Sequence, residues 1–420
     1  QFIWQFQLFD QKALETTADQ LPVRIRKTGY HNHDAGPDFK DARIQVDDTL
    51  WAGHVEIHVK ASEWFQHGHH HDPAYGNVIL HVVLQDDRPD PHSGELAHIP
   101  CIALQDRIEH ALLQRYQHLR QNRLWIPCAD QFHSVEGFTL RHWLNRLQIE
   151  RLEEKRQLVE RLLNENHQDW QETLYQLLAR NFGFKVNAEP FERLTRLTPY
   201  RIISKHADQL FQLEALLLGQ AGLLSGEFGE AYPRSLKQEY TFFQQKYGLT
   251  PMEPHEWNRL RLRPANFPPV RIAQLAAFLH NTQALLHLML ETEGIQPLRQ
   301  AFRTEASPYW RSHYWPGKVA TQSRSKRLGK GSITNLLINT VVPFIFTYGQ
   351  VRGEEHLTDR ALSFLEQLPP EQNHILKRWQ QLGAPNRHAA HSQALLYLKK
   401  HYCDKKQCLS CEVGASLLRK

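Results

Sequence analysis

The stretch that decides the fold runs from Gly36 to Val83: GPDF at 36–39, VEIHVK at 55–60 and HGHHHDPAYGNVILHVV at 67–83. Within VEIHVK, Val55, Ile57 and Val59 alternate with Glu56, His58 and Lys60, the period-two pattern of a β-strand. One face is apolar. The other carries an acid, an imidazole and an amine, groups that resist burial on a half-buried strand. Asp38 stands eighteen residues before Glu56, just ahead of a shorter strand-like run. Two carboxylates brought together by neighbouring strands suit a divalent cation that lowers the pKa of an attacking water. Asp38 and Glu56 are therefore candidate ligands for catalytic Mg2+ or Mn2+, with His58 or Lys60 orienting the water.

Outward from this stretch, strand-like runs lie at 22–27, 42–47, 50–60 and 77–85, with Asp47-Asp48-Thr49 as a hairpin turn. Residues 61–70 read as a short helix, and strand–helix–strand order favours a parallel crossover. From Asp106 the period changes. Leu112, Leu113, Tyr116 and Leu119, then Leu144, Leu147, Leu152, Leu158 and Leu162, recur at helical spacing. Further helical runs fall at 170–181, 210–218, 271–292, 332–346 and 393–401, and prolines near 251–254 and 264–269 divide them. The expected fold is α+β: an α/β domain over 1–105, a helical domain over 106–400, and a C-terminal segment, 401–420, packed back on the body.

The 420 residues are 41% hydrophobic and 23% charged, the composition of a globular chain with room for more than one core. No uninterrupted run of about 18 apolar residues appears. The best candidate, 333–348, contains Asn335, Asn339, Thr340 and Pro343, so no membrane span is expected. The opening QFIWQFQLFDQK has neither the basic start nor the cleavage site of a signal peptide, which points to the cytoplasm. The formal charge is only +5, but 26 histidines raise the expectation of a metal site.

The tract His67-Gly68-His69-His70-His71-Asp72 sits where a helix ends, with Gly68 as breaker and Pro73 just beyond. Loop histidines are ordinarily solvated, and that is the expectation for this tract. His81, inside the next strand, reads as a hydrogen-bonded core histidine. Cys403, Cys408 and Cys411 lie within nine residues, a spacing that reads as metal ligation in a reducing compartment. Cys128 is the preferred fourth ligand, with Cys101 or His401 as substitutes, and the site is expected to hold Zn2+ or a [4Fe–4S] cluster.

Two basic segments are candidate nucleic-acid contacts: Arg261 and Arg263 in RLRLRP, and Arg324, Lys326 and Arg327 in RSKR. Tyr309-Trp310 and Tyr314-Trp315 precede the second, where exposed rings can stack on bases. LGKGS at 328–332 lacks the spacing of a phosphate loop.

Pro37-Asp38, then Glu56 on the following strand, then a helix and another strand resembles the PD-(D/E)XK nuclease superfamily over about 50 residues. The superfamily's Glu-x-Lys becomes Glu56-x-His58 here. The resemblance implies a restriction-endonuclease-like core and Mg2+- or Mn2+-dependent cleavage of DNA or RNA. The layout of three clustered cysteines and a distant one is similar to that of iron–sulfur nucleases in the same superfamily. Over its whole length, through GPDF, VEIH, NVILHVV, WIPC, RLRP-x-NFP and C-x4-C-x2-C, the chain resembles a bacterial family of unknown function. Two other readings stand beside the nuclease: a nucleic-acid-binding or assembly module with a degenerate core, and a zinc hydrolase using His58, His81 and the histidine tract.

Overall fold

The computed structural model describes residues 1–420 apart from His33, Ser93, Gln283 and the side chain of Glu95. It is α+β, an N-terminal sheet followed by a helical region. The described residues divide into two compact units, Gln1–Leu140 with Lys399–Lys420, and Arg141–Leu398.

The first unit is built on β1 (Val23–Lys27), β2 (Tyr30–His31), β3 (Phe39–Val46), β4 (Thr49–Lys60), β5 (Val78–Gln85) and β6 (Cys101–Ala103). Their order is β1-β3-β4-β5-β6, with β2 also pairing β3. β3 runs antiparallel to β1 and β4, and β4, β5 and β6 run parallel. Asp47-Asp48 makes the two-residue turn that pairs Val46 with Thr49, and Asp47 takes the positive φ of 52° such turns need. From Val78 to Val83 every residue of β5 is buried, as expected of a parallel strand covered on both faces. Phe39, Ile44, Val55, Leu80, Val82 and Ile102 form the core of this unit.

Sequence reading places most strands within three residues, and misses β2 and β6, which are too short to show a period. The expected helix at 61–70 is only Glu63–Gln66, because Gly68 adopts a φ of 73° and turns the chain into a 3₁₀ turn at His69–His71.

The second unit is almost wholly helical, with one small hairpin, His313–Trp315 against Lys318–Val319. The run expected at 271–292 is two helices, Pro268–Asn281 and Leu285–Glu291. The polar residues at 335–343 do not interrupt their segment: Lys330–Arg352 is a continuous 23-residue helix with a π-helical stretch at Leu337–Val341. By length and composition it can cross a membrane, yet 72% of its most apolar window is buried inside the protein.

The Lys155 amine is folded into this unit. Lys155 Nζ donates to Gln393 Oε1 at 2.8 Å and to the Ile338 carbonyl at 3.2 Å. Desolvation, helped by the Arg151 charge, pushes its pKa down to about 7. The unfolded chain then binds more protons than the folded one between pH 7 and the ordinary lysine value. Stability from this group is present above that range and lost as pH falls through it. Urea unfolding at pH 7 and pH 9.5 is expected to show a larger gain for the native chain than for Lys155→Met. Equal gains in the two proteins would refute the assignment.

Candidate metal centre

β4 lies in the middle of the sheet, between antiparallel β3 and parallel β5, so both of its edges are paired. Glu56 and His58 are 5% and 7% exposed. In register beside Glu56 on β5 is His81, which is fully buried.

Asp38 reaches the same place through an irregularity in β3. The pairing shifts between Phe39 and Ala42, and Asp41 within the shift has a φ of 58°. Asp38 and the Glu56 segment then clasp each other. The Asp38 backbone N–H donates to Glu56 Oε2 at 3.0 Å, and the Ile57 N–H donates to Asp38 Oδ2 at 3.2 Å.

The histidine tract is only partly covered: His67 and His71 are exposed, as their loop position suggests, while His69 and His70 are half-buried. The turn at Gly68 brings His67 and His69 over β4. His67 Nδ1 lies 3.2 Å from His58 Nε2, and His69 Nε2 lies 3.3 Å from Glu56 Oε1. His58 Nε2 is itself 3.7 Å from Glu56 Oε1. Three imidazoles thus lie within coordinating reach of one another, with Glu56 Oε1 against two of them, His58 and His69. A tetrahedral ion with ligands at 2.0–2.1 Å sets ligand–ligand edges of about 3.4 Å, and three of these pairs stand at 3.2, 3.3 and 3.7 Å. Among the described residues, His58, His67 and His69 form the one trio of histidine, cysteine or acidic donors lying within 4.8 Å of one another.

Behind the donors, His58 Nδ1 and His81 Nε2 are 2.8 Å apart and share a proton. If His58 Nδ1 carries it, Nε2 is left as a lone pair facing the cluster, the role an outer partner plays for a ligating histidine. Tyr75 stacks on His69 at 3.9 Å, and buried Trp64 meets the rings of His69 and His81 at 5.4 Å. These rings exclude water from one side.

The electrostatics match an unmetallated donor set. Burial, then the charge of Asp38, pushes Glu56 up to about 8. Burial, then His69 and His67, holds His58 down to about 4, and burial with His58 holds His81 down to about 3. Burial likewise lowers His69 and raises Asp38. Neutral imidazoles are what a metal requires, and a divalent cation reverses the pressure on Glu56.

The remaining expected residues lie elsewhere. Lys60 is exposed at the end of β4, where its charge acts on Asp87. Arg261 and Arg263 are exposed. Arg324 is exposed and donates to Gln322, and Arg327 pairs with Glu305 at 2.9 Å. Lys326 is a correction: it is 4% exposed, its ammonium donates to the carbonyls of Arg311 and Arg324, and it lies over Tyr314, so it is not free to meet a phosphate. Trp310, expected as a possible stacking ring, is fully buried. Cys101 sits on β6 beside Asp86 and Arg88, apart from the other cysteines.

Residues 1–374 match a family model described as a protein of unknown function, DUF2851, and the chain belongs to that family. No curated protein and no solved structure matches it.

Proposed function

We propose that the chain is a divalent-metal-dependent hydrolase of phosphodiester bonds in nucleic acid. Glu56, His58, His67 and His69 hold a transition-metal ion, with Asp38 beside them. The observation that carries this reading is the convergence of three imidazole nitrogens, with Glu56 Oε1 beside those of His58 and His69. Imidazole-rich sets suit zinc better than manganese or magnesium, which favour oxygen ligands. When bound, such a cation supplies a lowered pKa for water and neutralises charge on a phosphoryl oxygen.

The residues divide the remaining work. Glu56 uses one oxygen toward the histidines and the other toward the Asp38 backbone, so its carboxylate is oriented before any cation arrives. Asp38, tied to the Ile57 amide, is the group this reading assigns to accept a proton from water held at the cluster. The phosphodiester class is supported by the Pro37-Asp38 and Glu56 pattern and by a sheet in which an antiparallel pair leads into a parallel crossover.

The test is cleavage of single- and double-stranded DNA and RNA, and of bis(p-nitrophenyl) phosphate, by protein stripped with EDTA. Mn2+ or Zn2+ is expected to restore turnover. Binding of nucleic acid without cleavage in any metal would overturn the hydrolase and favour the binding module. Cleavage unaffected by EDTA would remove the metal centre.

A further inference from the structure

The second concentration of metal-ligating side chains is the cysteine group. Cys403, Cys408 and Cys411 belong by contacts to the same unit as Cys128, although far from it in sequence. The C-terminal segment is fastened beside the chain that carries Cys128. Lys406 Nζ donates to the carbonyls of Arg120 at 2.6 Å and Asn122 at 3.3 Å, and Arg115 donates to the Leu418 carbonyl at 3.1 Å. Lys399 lies over the Trp125 ring at 5.4 Å, and Lys420 donates to the Ser134 carbonyl. Around Cys128 the chain is tightly turned, with the Ala129 N–H on the Ile126 carbonyl and the Gln131 N–H on that of Cys128.

Cys128, Cys408 and Cys411 are buried and Cys403 partly so, and none forms a disulfide. The four thiols lie close enough to act on one another. Cys128 feels Cys411 and Cys408, and Cys403 feels Cys411, Cys128 and Cys408. Lys406 provides positive charge beside Cys408, and Lys399, itself paired with Asp404, lies beside Cys403. Gly414 lets the last helix close over Cys408, since a Cβ there would lie 2.2 Å from the Cys408 carbonyl oxygen.

Spacing separates the two kinds of thiolate centre. A single zinc with Zn–S bonds of about 2.3 Å draws its four sulfurs to about 3.8 Å from each other. Among the described residues no three of these sulfurs lie within 4.8 Å of one another. In a [4Fe–4S] cluster each thiolate binds its own iron at a corner of a cube, so the sulfurs stand farther apart.

We propose that Cys128, Cys403, Cys408 and Cys411 ligate a [4Fe–4S] cluster that fastens residues 399–420 to the segment around Cys128. The cluster needs four deprotonated thiolates, and the adjacent lysines offset the resulting negative charge. It is independent of the hydrolytic centre.

The test is anaerobic purification of the full chain followed by iron, acid-labile sulfide and zinc analysis. About four irons and four sulfides per chain are expected, with a broad visible absorption that bleaches on reduction with dithionite. Cys128→Ser is expected to lose that absorption and most of the iron. Cys101→Ser, which alters the one cysteine outside the group, is expected to keep both. Stoichiometric zinc without iron, four freely titrating thiols without either metal, or equal loss in the Cys101→Ser protein would overturn the proposal. The native chain's metal content decides the matter even where Cys128→Ser does not fold.

Discussion

Glu56→Gln is expected to lower metal-dependent cleavage by about a thousandfold or more while leaving the fold in place. A ligated cation contributes several kcal/mol to stabilising charge in the transition state, and about 4 kcal/mol corresponds to roughly a thousandfold in rate. Glu56 supplies the only oxygen facing both His58 and His69 among the contacts that define the cluster. Without a metal its carboxyl is held largely protonated at neutral pH, with a pKa pushed up to about 8. An amide of the same shape therefore replaces a neutral group in the metal-free protein, and its oxygen still accepts from the Asp38 N–H. The loss should appear in cleavage rate and in calorimetric Zn2+ or Mn2+ binding, but not in the circular dichroism melt recorded in EDTA. Undiminished cleavage by a folded Glu56→Gln protein would show that the cluster is not the catalytic centre.

How much of this site is legible in the sequence follows from which contacts are local. Alternation in VEIHVK places Glu56 and His58 on one face, and a two-residue turn preceding the strand fixes which residues of β3 oppose it. The partnership of Asp38 with Glu56 also follows from adjacent strands. The inward turn of His69 is not legible, because nothing in the tract's own composition says where its rings point. Its position depends on a left-handed glycine and on Trp64 and Tyr75 packing against its ring. The one available signal was an i, i+2 histidine pair split by that glycine, immediately after a strand bearing Glu-x-His. Long helices of the second unit were legible because their apolar period persists over many residues. Lys326 was misplaced for the opposite reason: a run of basic residues reads as a solvated patch, and only the fold reveals two carbonyls and a tyrosine ring around its ammonium.

A second large effect is expected far from any catalytic role, at Glu214. This carboxyl is fully buried in the second unit, yet it is not an isolated charge. Its Oε2 accepts from Tyr232 Oη at 2.8 Å, Ser307 Oγ at 3.0 Å and Trp310 Nε1 at 3.1 Å, and its Oε1 accepts from the Ser307 N–H at 3.3 Å. One side chain thus ties its own helix to two other segments, that of Tyr232 and that of Ser307 and Trp310, while burial raises its pKa against the pull of those hydrogen bonds. Glu214→Leu removes the shared acceptor and leaves those donors enclosed. Each unmatched buried donor costs about 1–3 kcal/mol, so a total on the order of 4 kcal/mol is expected after partial rearrangement, Ser307 Oγ and Tyr232 Oη still lying 3.1 Å apart. Glu214→Gln keeps one acceptor oxygen and should cost clearly less. Urea unfolding of the three proteins measures the ordering directly. A leucine variant within about 1 kcal/mol of the native chain would mean that the network is spectator packing rather than the tie between those segments.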